Sequence, residues 1–176
     1  MAPDTEQLQE FDGTFSYHVG VLVSQSKLYL LGGEAIAGTD EYAAADALFE
    51  MLLVRMRTFD SFFSSAQTGK PDDALAGQFV PGWTVAHFLT DDERAQISKR
   101  LAHLTYSQPP AHEWAIGQMV KRCLEVIGDF LQSVPGGLTE RWAYRYAEVT
   151  HFLGDELPNN DLESIWTEAD KHAHRR

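Results

Sequence analysis

Apolar side chains recur every three or four positions along most of this chain, and this period predicts helices. Between Phe15 and Leu31 the pattern is typical of a helix packed on one side, and the apolar positions are Phe15, Val19, Leu22, Val23, Tyr29 and Leu30. A strand over Gly20–Val23 is the alternative, but it would be short and has no evident hairpin partner. Residues 1–13 are acidic and polar, so we expect them to be frayed or weakly helical and mobile.

The segment from Thr39 or Asp40 to Ser64 is the most hydrophobic of the predicted helices and is expected to form the centre of the core. Its apolar face carries Leu48, Leu52, Phe59, Phe62 and Phe63. Arg55 projects into that face, whereas Arg57 lies on the polar side. A buried arginine is costly unless it is paired, so we expect Arg55 to meet a carboxylate or a polar cavity. The alternative is a side chain that reaches past the core to solvent.

The segment Thr90–Tyr106 has the clearest helix start in the chain. Thr90 and Glu93 have the spacing of a capping box, in which each side chain accepts a hydrogen bond from the other residue's backbone N–H. Along the helix that follows, Arg100 and His103 lie beside the apolar stripe. They are three positions apart, so their side chains are predicted to be neighbours.

The rest of the chain completes an all-α pattern. Turn formers and aromatic residues alternate through 65–89, which predicts a loop pinned across the bundle over a cleft or small-ligand pocket. A further helix is predicted with Pro110 in its first turn, with one apolar face from Ile116 onward and a stop at Pro135. Two more are predicted from Thr139 to Leu153 and from Asp161 to Ala173, before a mobile tail at 172–176. We therefore predict one all-α domain over residues 1–176, an up-and-down helical bundle of four main helices plus one or two C-terminal helices.

Composition narrows the class of protein. A chain of 176 residues can bury a sizeable core. The single cysteine, Cys123, excludes an intramolecular disulfide and fits a reducing, cytoplasmic setting. The first residues lack the apolar core of a signal peptide. No run approaches the roughly 18 apolar residues of a membrane span, so no membrane association is expected.

The charge is strongly negative but unevenly distributed. A net charge of −12 disfavours general binding of nucleic acid, because the field of the whole protein repels phosphate. Residues 1–54 carry nine acids and one lysine, whereas residues 94–122 carry five bases and one acid. The simplest explanation is intramolecular pairing of the acidic and basic parts.

No metal and no cofactor are expected. Helical metal sites pair their ligands three or four positions apart, and His103 has no acidic or histidine partner at those spacings. Neither a glycine-rich phosphate loop after a strand nor a serine nucleophile elbow is present in the sequence. Cys123 lies on the apolar face of its helix, where we expect it to pack in the core.

Arg100 and His103 remain as a candidate catalytic pair. Histidine can act as a general acid or base near neutral pH, and a nearby arginine can hold a phosphate and stabilise developing charge. Together they could cleave RNA without a metal, using the 2′-OH of the RNA as nucleophile. Substrate contacts are expected from Lys99, Arg94, Arg55, Arg57, Lys121 and Arg122. The alternative is that His103 bonds to a neighbouring helix and the cations are surface charge.

Three blocks, ALFEMLLVRMRTFDSFF, DDALAGQFVPGW and ISKRLAHLTY, lie within about residues 40–135. This region resembles HEPN-type helical proteins, and among them the AbiU2-like group. The resemblance implies an all-α bundle that is often a dimer. It also implies a metal-independent ribonuclease of a toxin–antitoxin or phage-defence system, with an Arg and a His on one helix. Arg100 and His103 are separated by two residues, closer than the family spacing. Only His103 therefore matches directly, and Arg100 takes the arginine role by proximity.

The expected function is that of a HEPN-like protein that engages RNA, as a ribonuclease or as an inactive relative of one. The alternative is a non-catalytic helical module that binds a protein partner through its acidic surface. The expected partners are RNA or another protein, together with a second copy in a homodimer.

Overall fold

The computed structural model describes residues 5–31, 39–64, 74–84, 87–99, 114–135 and 139–156. This part of the chain contains helices and no strands, so the predicted all-α fold is confirmed. The helices are α1 (Thr5–Leu31), α2 (Thr39–Ser64), α3 (Ala76–Phe79), α4 (Asp91–Ile97), α5 (Ile116–Ser133) and α6 (Glu140–His151), and a π-helical turn at Phe152–Glu156 follows α6.

The four long helices form a ring around one core. Helix α1 packs on α2 and α6, and α5 closes the ring by packing on the same two helices. Helices α1 and α2 are antiparallel, because Phe15 of α1 contacts Phe59 near one end of the pair and Tyr29 contacts Phe49 near the other. Helix α5 is therefore diagonal to α1 across the bundle.

Helices α1 and α6 run in the same direction and approach closely. The indole Nε1 of Trp142 donates to the carbonyl oxygen of Asp12 at 3.3 Å, and further along both helices Nε of Arg145 donates to Oγ of Ser16 at 3.2 Å. Gly20 lies directly beneath the Arg145 guanidinium, where a Cβ atom would clash with it. The missing side chain at this position leaves room for the Arg145 guanidinium.

Phe130 of α5 lies at the centre of an aromatic core. Its ring centroid is 5.3 Å from those of Phe15 and Phe62, 5.4 Å from Trp83 and 5.8 Å from Trp142. Because these partners come from three long helices and one loop, a single ring holds the separate elements together.

The segment between α2 and α4 is pinned across the bundle in its described part, as predicted. The indole Nε1 of Trp83 donates to the carbonyl oxygen of Phe63 at 3.2 Å, and the ring of Phe79 stacks on Phe11 at a centroid distance of 4.3 Å. Phe88 is buried where the chain enters α4.

The predicted helix boundaries are correct at some ends and wrong at others. Helix α5 begins at Ile116 and not in the turn of Pro110, since Trp114 and Ala115 are not helical. The Thr90–Glu93 capping box is present, with backbone-to-side-chain distances of 3.2 Å and 2.7 Å. Helix α1 begins at Thr5, so residues 5–13 are helical, and their expected fraying and mobility stay a prediction. The rest of the predicted helix to Tyr106, the helix at Asp161–Ala173 and the tail at 172–176 lie outside the described residues.

Candidate functional site

The predicted catalytic pair cannot be placed. Arg100 and His103 both lie outside the described residues, so their pairing stays a prediction. Lys99 is the last described residue before them and is exposed.

The three other predicted phosphate-binding cations of the central region have carboxylate partners. Arg94 donates to Asp91 and, at 2.8 Å, to the carbonyl oxygen of Leu89. Arg122 lies 2.6 Å from Glu93. A third pair is Lys121 with Glu125, at 3.9 Å. The charge of these three cations is thus compensated by neighbouring acids.

Arg57 belongs to a network centred on Asp60. The Asp60 carboxylate is fully buried and accepts hydrogen bonds from the backbone N–H of Leu89 at 3.1 Å and from Nδ1 of His87 at 2.7 Å. Arg57 donates to the same carboxylate at 3.5 Å and to Ser61 Oγ at 2.6 Å. These bonds tie the chain segment before α4 to α2. In the sequence, Asp60 is an acid between phenylalanines on the apolar face of α2. This unusual position could have marked it as a residue with buried partners, but it was not predicted.

Arg55 differs from the other arginines that the structure describes. The other five each have a carboxylate within 3.7 Å. Arg55 is half-buried and donates to neutral groups: Nε to Oε1 of Gln25 at 3.2 Å, and Nη1 to Nδ1 of His18 at 2.5 Å. Among the described residues Arg55 therefore has no carboxylate partner, and it lies instead in a largely apolar groove with a few polar groups.

This groove has a volume of about 400 Å³ and lies between α1 and α2. Besides His18 and Arg55 it is lined by Ala47, Glu50, Met51, Val54 and Thr58. Burial lowers the pKa of His18, and the adjacent Arg55 lowers that pKa further. Burial also lowers the pKa of Arg55. The nearby Tyr17 raises the pKa of Arg55, against the effect of burial.

Beside this groove, the outward side of α1 carries a stripe with alternating spacings of three and four residues. The α1 stripe consists of Thr14, Tyr17, Val21, Ser24 and Leu28. Tyr17 and Leu28 are 60% and 62% exposed. From Gly13 to Ser26 the helix contains no Asp, Glu, Lys or Arg, although 23% of the whole chain is charged. An outward helix face normally carries charge, so this face is unusual for a surface that stays in water.

A second groove, of about 540 Å³, flanks the α1 stripe on the side of α6. Its lining residues are Gly13, Ser16 and Tyr17 from α1 and Glu140, Arg141, Tyr144 and Arg145 from α6. Tyr144 is 64% exposed. Sequence reasoning missed this surface because it followed the buried face of α1, although the three-and-four spacing of the stripe was visible in the residues.

Other chemistry finds little support in the described part of the chain. No three His, Cys, Asp or Glu side chains within the described ranges are grouped as a metal site. Cys123 is buried, as predicted, and burial, followed by the nearby Asp60, raises the pKa of its thiol. None of the helices in these ranges has the length and apolar character needed to cross a membrane.

Comparison of the chain with family models, with curated proteins and with solved structures finds no match.

Proposed function

We propose that this protein is a non-catalytic helical interaction module that binds another protein chain through the outer face of α1. The observation that supports the proposal most strongly is the uncharged α1 stripe, in which Tyr17 and Leu28 are more than half exposed. The stripe is about 21 Å long, since each helical residue advances about 1.5 Å. That length suits a partner helix better than a small molecule.

The side chains around the stripe are of the types enriched in protein interfaces. Tyrosine, methionine and arginine are over-represented at such surfaces, and charged groups are depleted from their centres. Met51 and Val54 of α2 are about half exposed and line the groove that holds Arg55. Arg55 has no carboxylate partner among the described residues, so it can contribute its hydrogen-bonding capacity to a partner protein.

The RNA-engaging role implied by the HEPN resemblance stays a prediction that rests on Arg100 and His103. The described cations give it little electrostatic support, because Arg94, Lys121 and Arg122 have acidic neighbours. An uncharged α1 face would also attract phosphate weakly.

The proposal is tested by photo-crosslinking in cells that express the chain. A benzophenone amino acid replaces Tyr17 in one version and Gln118, which is exposed on the diagonal helix α5, in the control. We expect protein adducts from position 17, their loss when Leu28→Glu is added, and none from position 118. The same adducts from both positions, or none from position 17, would contradict the proposal. Circular dichroism of each version checks that the bundle is folded.

A further inference from the structure

We propose that the partner is a second copy of this chain, with the two α1 helices packed side by side and parallel about a twofold axis. This inference rests on the proposed function, since it names the occupant of the same face. In a symmetric dimer one patch meets its own copy, so the face must contain complementary features on either side of the axis.

Two such features, the Arg55 groove and the Tyr144 side chain, lie at about the same height along the bundle axis. Tyr17 and His18 are adjacent on α1. His18 contacts Arg55 of α2 on one flank of the stripe, and Tyr17 lines the groove with Tyr144 of α6 on the other flank. Rotation about a twofold axis parallel to α1 sets the α6 side of one copy against the α2 side of the other. The rotation does not change the position of a residue along the helix axis. It therefore brings Tyr144 of each copy to the Arg55 groove of the other.

The two features are also chemically complementary. An arginine and a tyrosine ring attract each other through a cation–π interaction, as Arg145 and Tyr144 already do within one chain, at 5.2 Å from the ring centroid. The rest of the tyrosine ring would cover the exposed parts of Met51 and Val54. An antiparallel dimer would instead set α2 against α2, and the Arg55 groove would face another α2 and not a Tyr144 ring.

Charge and area support self-association at this face and limit its strength. Two copies, each with a net charge of −12, repel each other. The α1 stripe carries no charge and the flanking grooves contain both acids and bases, so the contact surface adds little repulsion of its own. The exposed side chains are Tyr17, Leu28, Met51, Val54 and Tyr144. Each would bury on the order of 100 Å², which gives about 1,000 Å² over two copies, near the lower limit for a specific interface. We therefore expect a dimer with a Kd on the order of micromolar.

The arrangement is tested by sedimentation and by disulfide crosslinking of the purified chain. The only native cysteine, Cys123, is buried, so an introduced cysteine is the only accessible thiol. In a parallel pair, equivalent positions of the stripe face each other across the axis. We expect Val21→Cys and Leu28→Cys each to form a self-linked dimer on mild oxidation, and Gln118→Cys to form none.

The sedimentation measurements test the contact between Arg55 and Tyr144. We expect Arg55→Ala and Tyr144→Ala each to weaken the dimer about tenfold, and the double variant to be little weaker than either one. Gln118→Ala should leave the Kd unchanged. Monomer alone at 100 µM, or a dimer that crosslinks at only one of the two stripe positions, would overturn the parallel dimer. A third outcome is that position 17 crosslinks to other proteins while the purified chain is monomeric. That outcome would contradict the proposal that the partner is a second copy, but it would still support the interaction module.

Discussion

The Nη1 atom of Arg55 lies 2.5 Å from Nδ1 of His18. An arginine can only donate, so Nδ1 of His18 accepts and the imidazole is neutral, with its proton on Nε2. Protonation of His18 would remove this acceptor and place two cations side by side. The hydrogen bond between α1 and α2 at the Arg55 groove is therefore sensitive to pH.

Stability should fall as pH drops through the range in which His18 titrates. The pKa of His18 is lowered in the folded protein from its ordinary value of 6.5, so the unfolded chain binds a proton that the folded chain resists. The contribution of His18 is complete above about pH 6.5 and is lost as pH falls below that value. Thermal unfolding between about pH 7.5 and pH 5 should show a smaller decline in Tm for His18→Gln, which keeps an acceptor and cannot titrate. Equal declines in the two proteins would contradict this assignment.

The Asp60 network should account for a substantial part of the stability of the segment before α4. Asp60→Ala leaves the buried N–H of Leu89 without its acceptor and releases His87, and we expect a loss of about 2 kcal/mol in the free energy of unfolding. Asp60→Asn keeps one acceptor oxygen and should cost less. Urea denaturation measures both values. A loss below about 0.5 kcal/mol for Asp60→Ala would mean that the three bonds contribute almost nothing.

The sequence predicted the features that depend on neighbours along the chain. The bounds of α2 and the Thr90–Glu93 box follow from local spacing, because a cap is formed within one turn. The start of α1 at Thr5 does not follow from local spacing. Phe11 lies in the polar stretch that appeared frayed, and its ring packs on Phe79, which is far away in sequence. Tertiary contact therefore stabilises a helix that the local pattern leaves weak.

The candidate site was less predictable than the fold, for a related reason. Arg55 was correctly picked out as unusual on an apolar face. Its partners Gln25 and His18 come from another helix, and no local rule selects them over a carboxylate. Conversely, the cations expected to bind a substrate find acids nearby, as Arg122 does with Glu93. Which charges pair with each other is decided when helices pack, and composition alone does not record it.

The ribonuclease prediction has a direct test of its own. Purified protein incubated with single-stranded and structured RNA in EDTA should cleave it if His103 and Arg100 form a metal-independent site, and His103→Ala should abolish that cleavage. Arg122→Ala should leave such cleavage largely intact, because Arg122 is occupied by Glu93. Cleavage that persists in His103→Ala would place the activity elsewhere or in a contaminant. Absence of binding and cleavage by the wild-type protein would leave the interaction module as the better account.

The most direct test of association through the outer face of α1 is the dependence of Tm on protein concentration. A self-associating chain is stabilised by mass action, so Tm should rise by about 3 °C for a hundredfold increase in concentration. Leu28→Glu places a charge on the α1 stripe and should make Tm independent of concentration, whereas Gln118→Glu should behave as the wild-type protein does. A wild-type Tm that does not change with concentration would contradict self-association through this face.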